Sequence, residues 1–97
     1  MMHRMVTFQV RREGLDKARA AVAAYADEVG RKEGGTAFFH AYQDAQDPTR
    51  FVLLMAFRVA SAEQYHEGTA WAKKWREAMA PLLAAPVDAR TLQAVTA

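Results

Sequence analysis

The 97-residue chain contains no cysteine. Disulfides, thiolate nucleophiles and the cysteine ligand sets of zinc and iron–sulfur sites are therefore excluded, and the composition fits a reducing compartment. Long apolar runs are missing too. None approaches the roughly 20 residues of a membrane helix, and the opening MMHRMVTFQV takes on strand patterning too soon for a signal peptide. The expectation is a cytoplasmic protein with no membrane partner. Neither sign of charge dominates: 13 basic residues stand against 11 acidic ones, a net charge of +2. The basic pairs Arg11-Arg12, Arg31-Lys32 and Lys73-Lys74 are far apart, as on a solvated surface and unlike a nucleic-acid-binding patch. Gly34-Gly35 lacks the strand–glycine–helix context and the lysine of a phosphate loop. No Gly-x-Ser-x-Gly elbow occurs. The three histidines, His3, His40 and His66, fall in different segments without metal-ligand spacing. No linker, repeat or low-complexity segment interrupts the chain.

What is present is an ordinary globular mixture, 52% hydrophobic and 25% charged, of a length suited to one domain over residues 1–97. Residues 5–11 alternate as a strand, with Val6, Phe8 and Val10 on one face and Met5, Thr7 and Gln9 on the other. Residues 15–29 change period. Leu15, Ala18, Val22, Tyr25 or Ala26, and Val29 fall at helical steps, and Gly30 is the expected cap. Residues 36–43 read as a strand with Phe38, His40 and Tyr42 on one face and Ala37, Phe39 and Ala41 on the other. A turn at Asp47-Pro48 leads to a third strand, 50–58, apolar on both faces. Ser61 and Gln64 fit a capping box for the next helix. Gly68-Thr69 breaks that helix, and Thr69 is placed to cap a second segment. Pro81 marks its end, and residues 88–95 form a last strand.

The order strand–helix–strand–strand–helix–strand is that of an α+β, ferredoxin-like split βαβ fold. It predicts a four-stranded antiparallel sheet with helices on one face. The uncovered apolar face then calls for a partner, most economically a homodimer with sheets packed face to face.

Three stretches resemble the antibiotic biosynthesis monooxygenase family of dimeric α+β barrels. They are the opening strand with Arg12-Glu13-Gly14 and its helix, "YQDAQDPTRFVLLMAF", and "SAEQYHEGTAWAKKWREAMAPLL". Together they cover roughly residues 5–95. The resemblance implies a cavity between helices and sheet toward which His66 points. It also implies cofactor-independent oxygenation of a small aromatic molecule (a phenol, quinol or anthrone) by molecular oxygen. The family's third strand usually ends in glutamate and tryptophan, where this chain has Ala56 and Phe57. The residues of the haem-degrading branch are not matched, because Thr7 or Gln9, His66 and Trp75-Arg76 stand in their places.

On this reading His66 is the candidate catalytic base, an imidazole able to take a phenolic proton near neutral pH. The substrate supplies the electrons, so no cofactor is expected. The alternative role for His66 is a helix residue bonded to backbone near Gly68. Thr7, Tyr65, Trp71, Trp75 and Arg50 are the substrate-binding candidates. Each has a plainer reading. Tyr65 lies about 100° around the helix from His66, and Arg50 follows a turn, as surface arginines do. Each tryptophan buries on the order of 150–250 Å², roughly 4–6 kcal/mol of gross burial, which suits a core. His40 and Tyr42 are read as dimer interface before site, and His3 as exposed.

Overall fold

A computed structural model describes residues 1–96. Strand β1 (Met2–Gln9) leads through a one-turn 3-10 helix (Arg12–Gly14) into helix α1 (Leu15–Lys32). Strands β2 (Thr36–Gln43) and β3 (Arg50–Phe57) follow, then helices α2 (Ala60–Glu67) and α3 (Ala70–Met79), a second 3-10 turn (Ala80–Leu82) and strand β4 (Asp88–Leu92). The sheet runs β2-β3-β1-β4 with every neighbouring pair antiparallel. This is the expected ferredoxin-like fold.

Register divides the sheet into two chemically different faces. Val6 pairs with Leu53 and Phe8 with Phe51, and the two phenyl rings stack at 5.1 Å. These residues, with Met55 and Phe57, face the helices. There they meet Ala18, Val22, Tyr25 and Val29 of α1 and Ala72, Trp75 and Met79 of α3, all buried. Steps of three and four residues along each helix bring those side chains to one stripe. The outer face carries Phe38, His40 and Tyr42 opposite Ala56, Leu54 and Val52, as their alternation predicts. A register shift between Thr36 and Phe38 turns Thr36 inward, opposite Phe57.

Several boundaries differ from the sequence reading, each for a tertiary reason. β1 begins at Met2 and ends at Gln9, because β3 offers eight consecutive partners from Phe57 back to Arg50. β4 stops at Leu92, whose partner His3 is close to the start of β1. His3 is half-buried rather than exposed, since its ring lies 6.1 Å from that of Phe38. Helix α1 runs through Gly30 to Lys32, and Glu33 is its C-cap. Ser61 does not cap α2: the N-cap is Val59 and no side chain caps that end. Backbone contacts set this start instead. Arg58 N–H donates to the Gly35 carbonyl and Ala62 N–H to that of Val59. Thr69 does cap α3, its hydroxyl accepting from Ala72 N–H at 3.1 Å. No described helix is long and apolar enough to cross a membrane.

The two glycines beside these junctions differ. A Cβ at Gly30 would meet nothing within 4 Å, so Gly30→Ala removes a helix-interior glycine without a clash. It is expected to raise unfolding stability by about 0.5–1 kcal/mol. A Cβ at Gly35 would come 2.6 Å from the Cβ of Ala62. Gly35→Ala therefore pushes α2 off the sheet and lowers stability by about 1–3 kcal/mol. Urea unfolding of both variants checks the opposite signs.

Candidate active site

Three helices converge where α1 ends. Tyr25 comes from the buried stripe of α1, Glu33 from its C-cap, His66 from the last turn of α2, and Trp71 from the first turn of α3. Glu33 and His66 are almost wholly enclosed, with side chains 1% and 2% exposed. A buried carboxylate is costly unless its oxygens are hydrogen-bonded. Here Thr36 Oγ1–H donates to Glu33 Oε1 at 2.7 Å, and Trp71 Nε1–H donates to Oε2 at 2.5 Å. His66 Nδ1 lies 2.8 and 3.0 Å from the two oxygens. Every partner of Glu33 in this cluster is thus a donor.

That arrangement assigns the imidazole. With Nδ1–H committed to Glu33, the neutral ring carries its lone pair on Nε2. The hydroxyl of Tyr25 sits 2.7 Å from Nε2 and donates to it. Burial pushes the Tyr25 phenol well above the usual tyrosine range. The charges of Glu67 and Glu33 push the same way, and those of Arg76 and Arg4 oppose them. Tyr25 therefore remains an O–H donor. Its ring stacks on Trp75 at 4.9 Å and on His66 at 5.7 Å, while Phe57 closes on His66 at 5.2 Å.

Tyr25, His66 and Trp75 together wall a cavity of about 140 Å³. Val6, Leu53, Met55, Val87 and Ala89 supply its apolar lining, and Arg4, Glu67 and Arg76 are its charged members. Glu67 pairs with Arg4 and lies 3.8 Å from Arg76. Among the described residues, no group of His, Asp and Glu has the arrangement of a metal site.

The expected site residues part company at this point. His66 and Trp75 share the cavity. The His66 ring bonds to Tyr25 and Glu33 and not to backbone; its carbonyl, instead, accepts from Thr69. Trp71 stands behind Glu33, half-buried, beneath the Lys32 ammonium at 5.1 Å. Tyr65 is 58% exposed and packs edge-on against Trp71. Thr7 and Arg50 line a separate hollow with Asp44, Pro86 and Asp88. Ala56 is on the outer face, away from the cavity, so a side chain at this position does not face His66. Tyr25 and Glu33 did not stand out in sequence. Tyr25 read as one more member of a core stripe, and Glu33 belonged to no pattern. The usable signal was a polar-tipped ring within an otherwise aliphatic stripe.

The sequence profile of the antibiotic biosynthesis monooxygenase family matches residues 1–78. The chain belongs to this family. A solved structure from Nitrosomonas europaea, whose name places it in the antibiotic biosynthesis monooxygenases, is 27% identical. It aligns over 99% of this chain and 100% of its own with a TM-score of 0.92. A structure from Caulobacter crescentus with the same family name is 20% identical, covering 98% and 90% of the two chains at a TM-score of 0.91. One from Mycobacterium tuberculosis is 23% identical, covering 99% and 96% at 0.90. The last two likenesses speak for the fold alone. No curated protein matches the sequence.

The raised Tyr25 titration has a measurable consequence. The unfolded chain ionises this phenol near pH 10, whereas the folded chain holds it protonated to higher pH. Folding stability should therefore fall as pH rises above about 10, and Tyr25→Phe should flatten part of that fall. Urea midpoints at pH 9 and pH 11 for both proteins test this.

Proposed function

We propose that the chain is a cofactor-independent monooxygenase that uses molecular oxygen on a small phenol or quinol. One observation carries the reading: the hydrogen-bonded chain Glu33–His66–Tyr25 ends on the wall of a mostly apolar cavity. A substrate hydroxyl in that cavity passes its proton to the Tyr25 oxygen as Tyr25 gives its own to His66 Nε2. Glu33 holds the resulting imidazolium, as a carboxylate does in other His-based relays. His66 is thus the base and Tyr25 its conduit. The phenolate, electron-rich and desolvated, is the species that reacts with oxygen. For a phenol with an open para carbon, one oxygen atom bonds to that carbon and the ring becomes a quinone. The second oxygen leaves as water with the two displaced hydrogens. The substrate supplies all four electrons, so the reading requires no flavin or metal.

Cavity size favours one ring. An apolar cavity of roughly 150 Å³ accommodates benzene, and this one is about 140 Å³; a three-ring anthrone needs more space. Trp75 stacks along the ring of Tyr25 and provides a face for the substrate. Thr7, Arg50 and Tyr65 have no part in this chemistry, and Trp71 acts through Glu33.

We also take residues 1–97 as one domain that dimerises through the outer sheet face. Half-buried Val52 and Leu54 there lie beside a ladder of Phe38, His40 and Tyr42 with ring spacings of 5.0 and 6.4 Å. Leu54→Glu should shift the protein toward monomer in sedimentation equilibrium.

Oxygen uptake by the purified chain, freed of metal, on a panel of single-ring phenols and hydroquinones tests the reaction. Uptake is expected, falling by about 10²–10⁴-fold in His66→Gln, whose side-chain amide can still donate to Glu33, and in Tyr25→Phe, with the fold checked by circular dichroism. Ligand binding without uptake by the unaltered protein would instead make this a non-catalytic binding dimer.

A further inference from the structure

The cavity has two polar ends, and the proton relay uses only one. The other is formed by Arg4 from β1, Arg76 from α3 and Glu67 from the end of α2. Two guanidinium groups share one side-chain carboxylate there. Glu67 pairs directly with Arg4 through Oε1, whereas its Oε2 lies 3.8 Å from Arg76, beyond hydrogen-bond length. Arg76 reaches only the Glu67 backbone carbonyl, at 3.4 Å. One positive charge is left over, with most of the ten guanidinium N–H groups free to donate. The Arg4 side chain is only 23% exposed, so its charge is less screened than that of Arg76, which is 50% exposed at the mouth of the cavity. The field of this cluster reaches the relay, since Arg4, Arg76 and Glu67 all act on Tyr25.

We propose that the substrate is a single-ring phenol bearing a carboxylate, its ring against Trp75, its hydroxyl at Tyr25 and its carboxylate on Arg76 and Arg4. Guanidinium groups take planar carboxylates in a two-pronged fashion, and the Glu67 side chain demonstrates that a carboxylate suits this cluster. Glu67 acts as an internal stand-in that a substrate anion displaces or joins. The leftover charge then selects against neutral rings of equal size, which the apolar lining alone would accept. The proposal deepens the oxygenase reading and depends on it only for the location of the site.

Binding to the full chain tests it without reference to turnover. Quenching of tryptophan fluorescence would be titrated with 3-hydroxybenzoate, which keeps its para carbon open, and with the neutral 3-methylphenol. The carboxylate is expected to bind about tenfold more tightly at low salt. Arg76→Gln should remove that advantage while leaving 3-methylphenol affinity unchanged. Glu67→Gln, which takes away the competing carboxylate, should strengthen 3-hydroxybenzoate binding. Lys73→Gln, a surface change of equal charge, should do nothing. Equal affinity for the two ligands, no binding of either, or an equal loss for both in Arg76→Gln would overturn the proposal. The oxygen measurement separates the two ideas. Uptake on neutral phenols without carboxylate preference sinks this inference and keeps the oxygenase. Carboxylate preference without uptake on any phenol does the reverse.

Discussion

The buried carboxylate of Glu33 is the constraint around which this protein is organised. An ionised group enclosed to that degree is tolerated only when its oxygens are fully engaged. The donors come from three elements: Thr36 on β2, His66 on α2 and Trp71 on α3. Each of those elements must therefore arrive at the C-terminus of α1 in one orientation. At Gly35, just before β2, the backbone approaches Ala62 of α2 so closely that no side chain fits there. The break at Gly68-Thr69 frees α3 from the direction of α2, and Thr69 caps the new helix, so Trp71 turns toward the carboxylate. The packing of the fold and the assembly of the site are one requirement here.

Tyr25 is where the two halves of the electrostatics meet. On one side is the enclosed pair of His66 and Glu33; on the other is the cluster of Arg4, Arg76 and Glu67. The two carboxylates and burial disfavour a phenolate, and the two arginines favour one. A resting site in which Tyr25 keeps its proton is the outcome of that balance. An anion arriving at the arginines would reinforce it, which suits the role proposed for Tyr25, passing a proton on rather than losing one to water.

The fold was legible in sequence because its signals are local. Alternation in TAFFHAYQ and three-four spacing from Ala18 to Val29 are read within a window of a few residues. The helix break was legible for the same reason, since a glycine followed by a capping threonine is a short-range device. Boundaries were less so. Gly30 would end a helix in isolation, yet the chain remains helical until Glu33 finds its buried partners. Ser61 would cap a free helix, yet the hydrogen bond from Arg58 to Gly35 starts the helix at Ala60. The site was only half legible. His66 stood out because a core of this size does not require an imidazole. Its partners are 33 and 41 residues away, and no spacing rule links them. Thr7 and Arg50 could be placed on strands, but which strand face opens to the cavity is a matter of register and helix cover.

His66 itself is held from both ends, and this limits how it can act. Nδ1 is committed to Glu33 and Nε2 to Tyr25, so neither nitrogen is free to grip a ligand. A buried neutral imidazole needs one acceptor and one donor, and in a purely structural role backbone groups would suffice for both. The second partner is a phenol at a cavity wall, and the first is a carboxylate that would stabilise an added proton. Both choices cost stability in a small domain, where apolar residues of similar size would pack without buried charge. A structural role accounts for Trp71 and for Phe57. Bridging three elements accounts for the carboxylate; its continuation through an imidazole to a phenol at the cavity is the physical argument for the proposed proton relay.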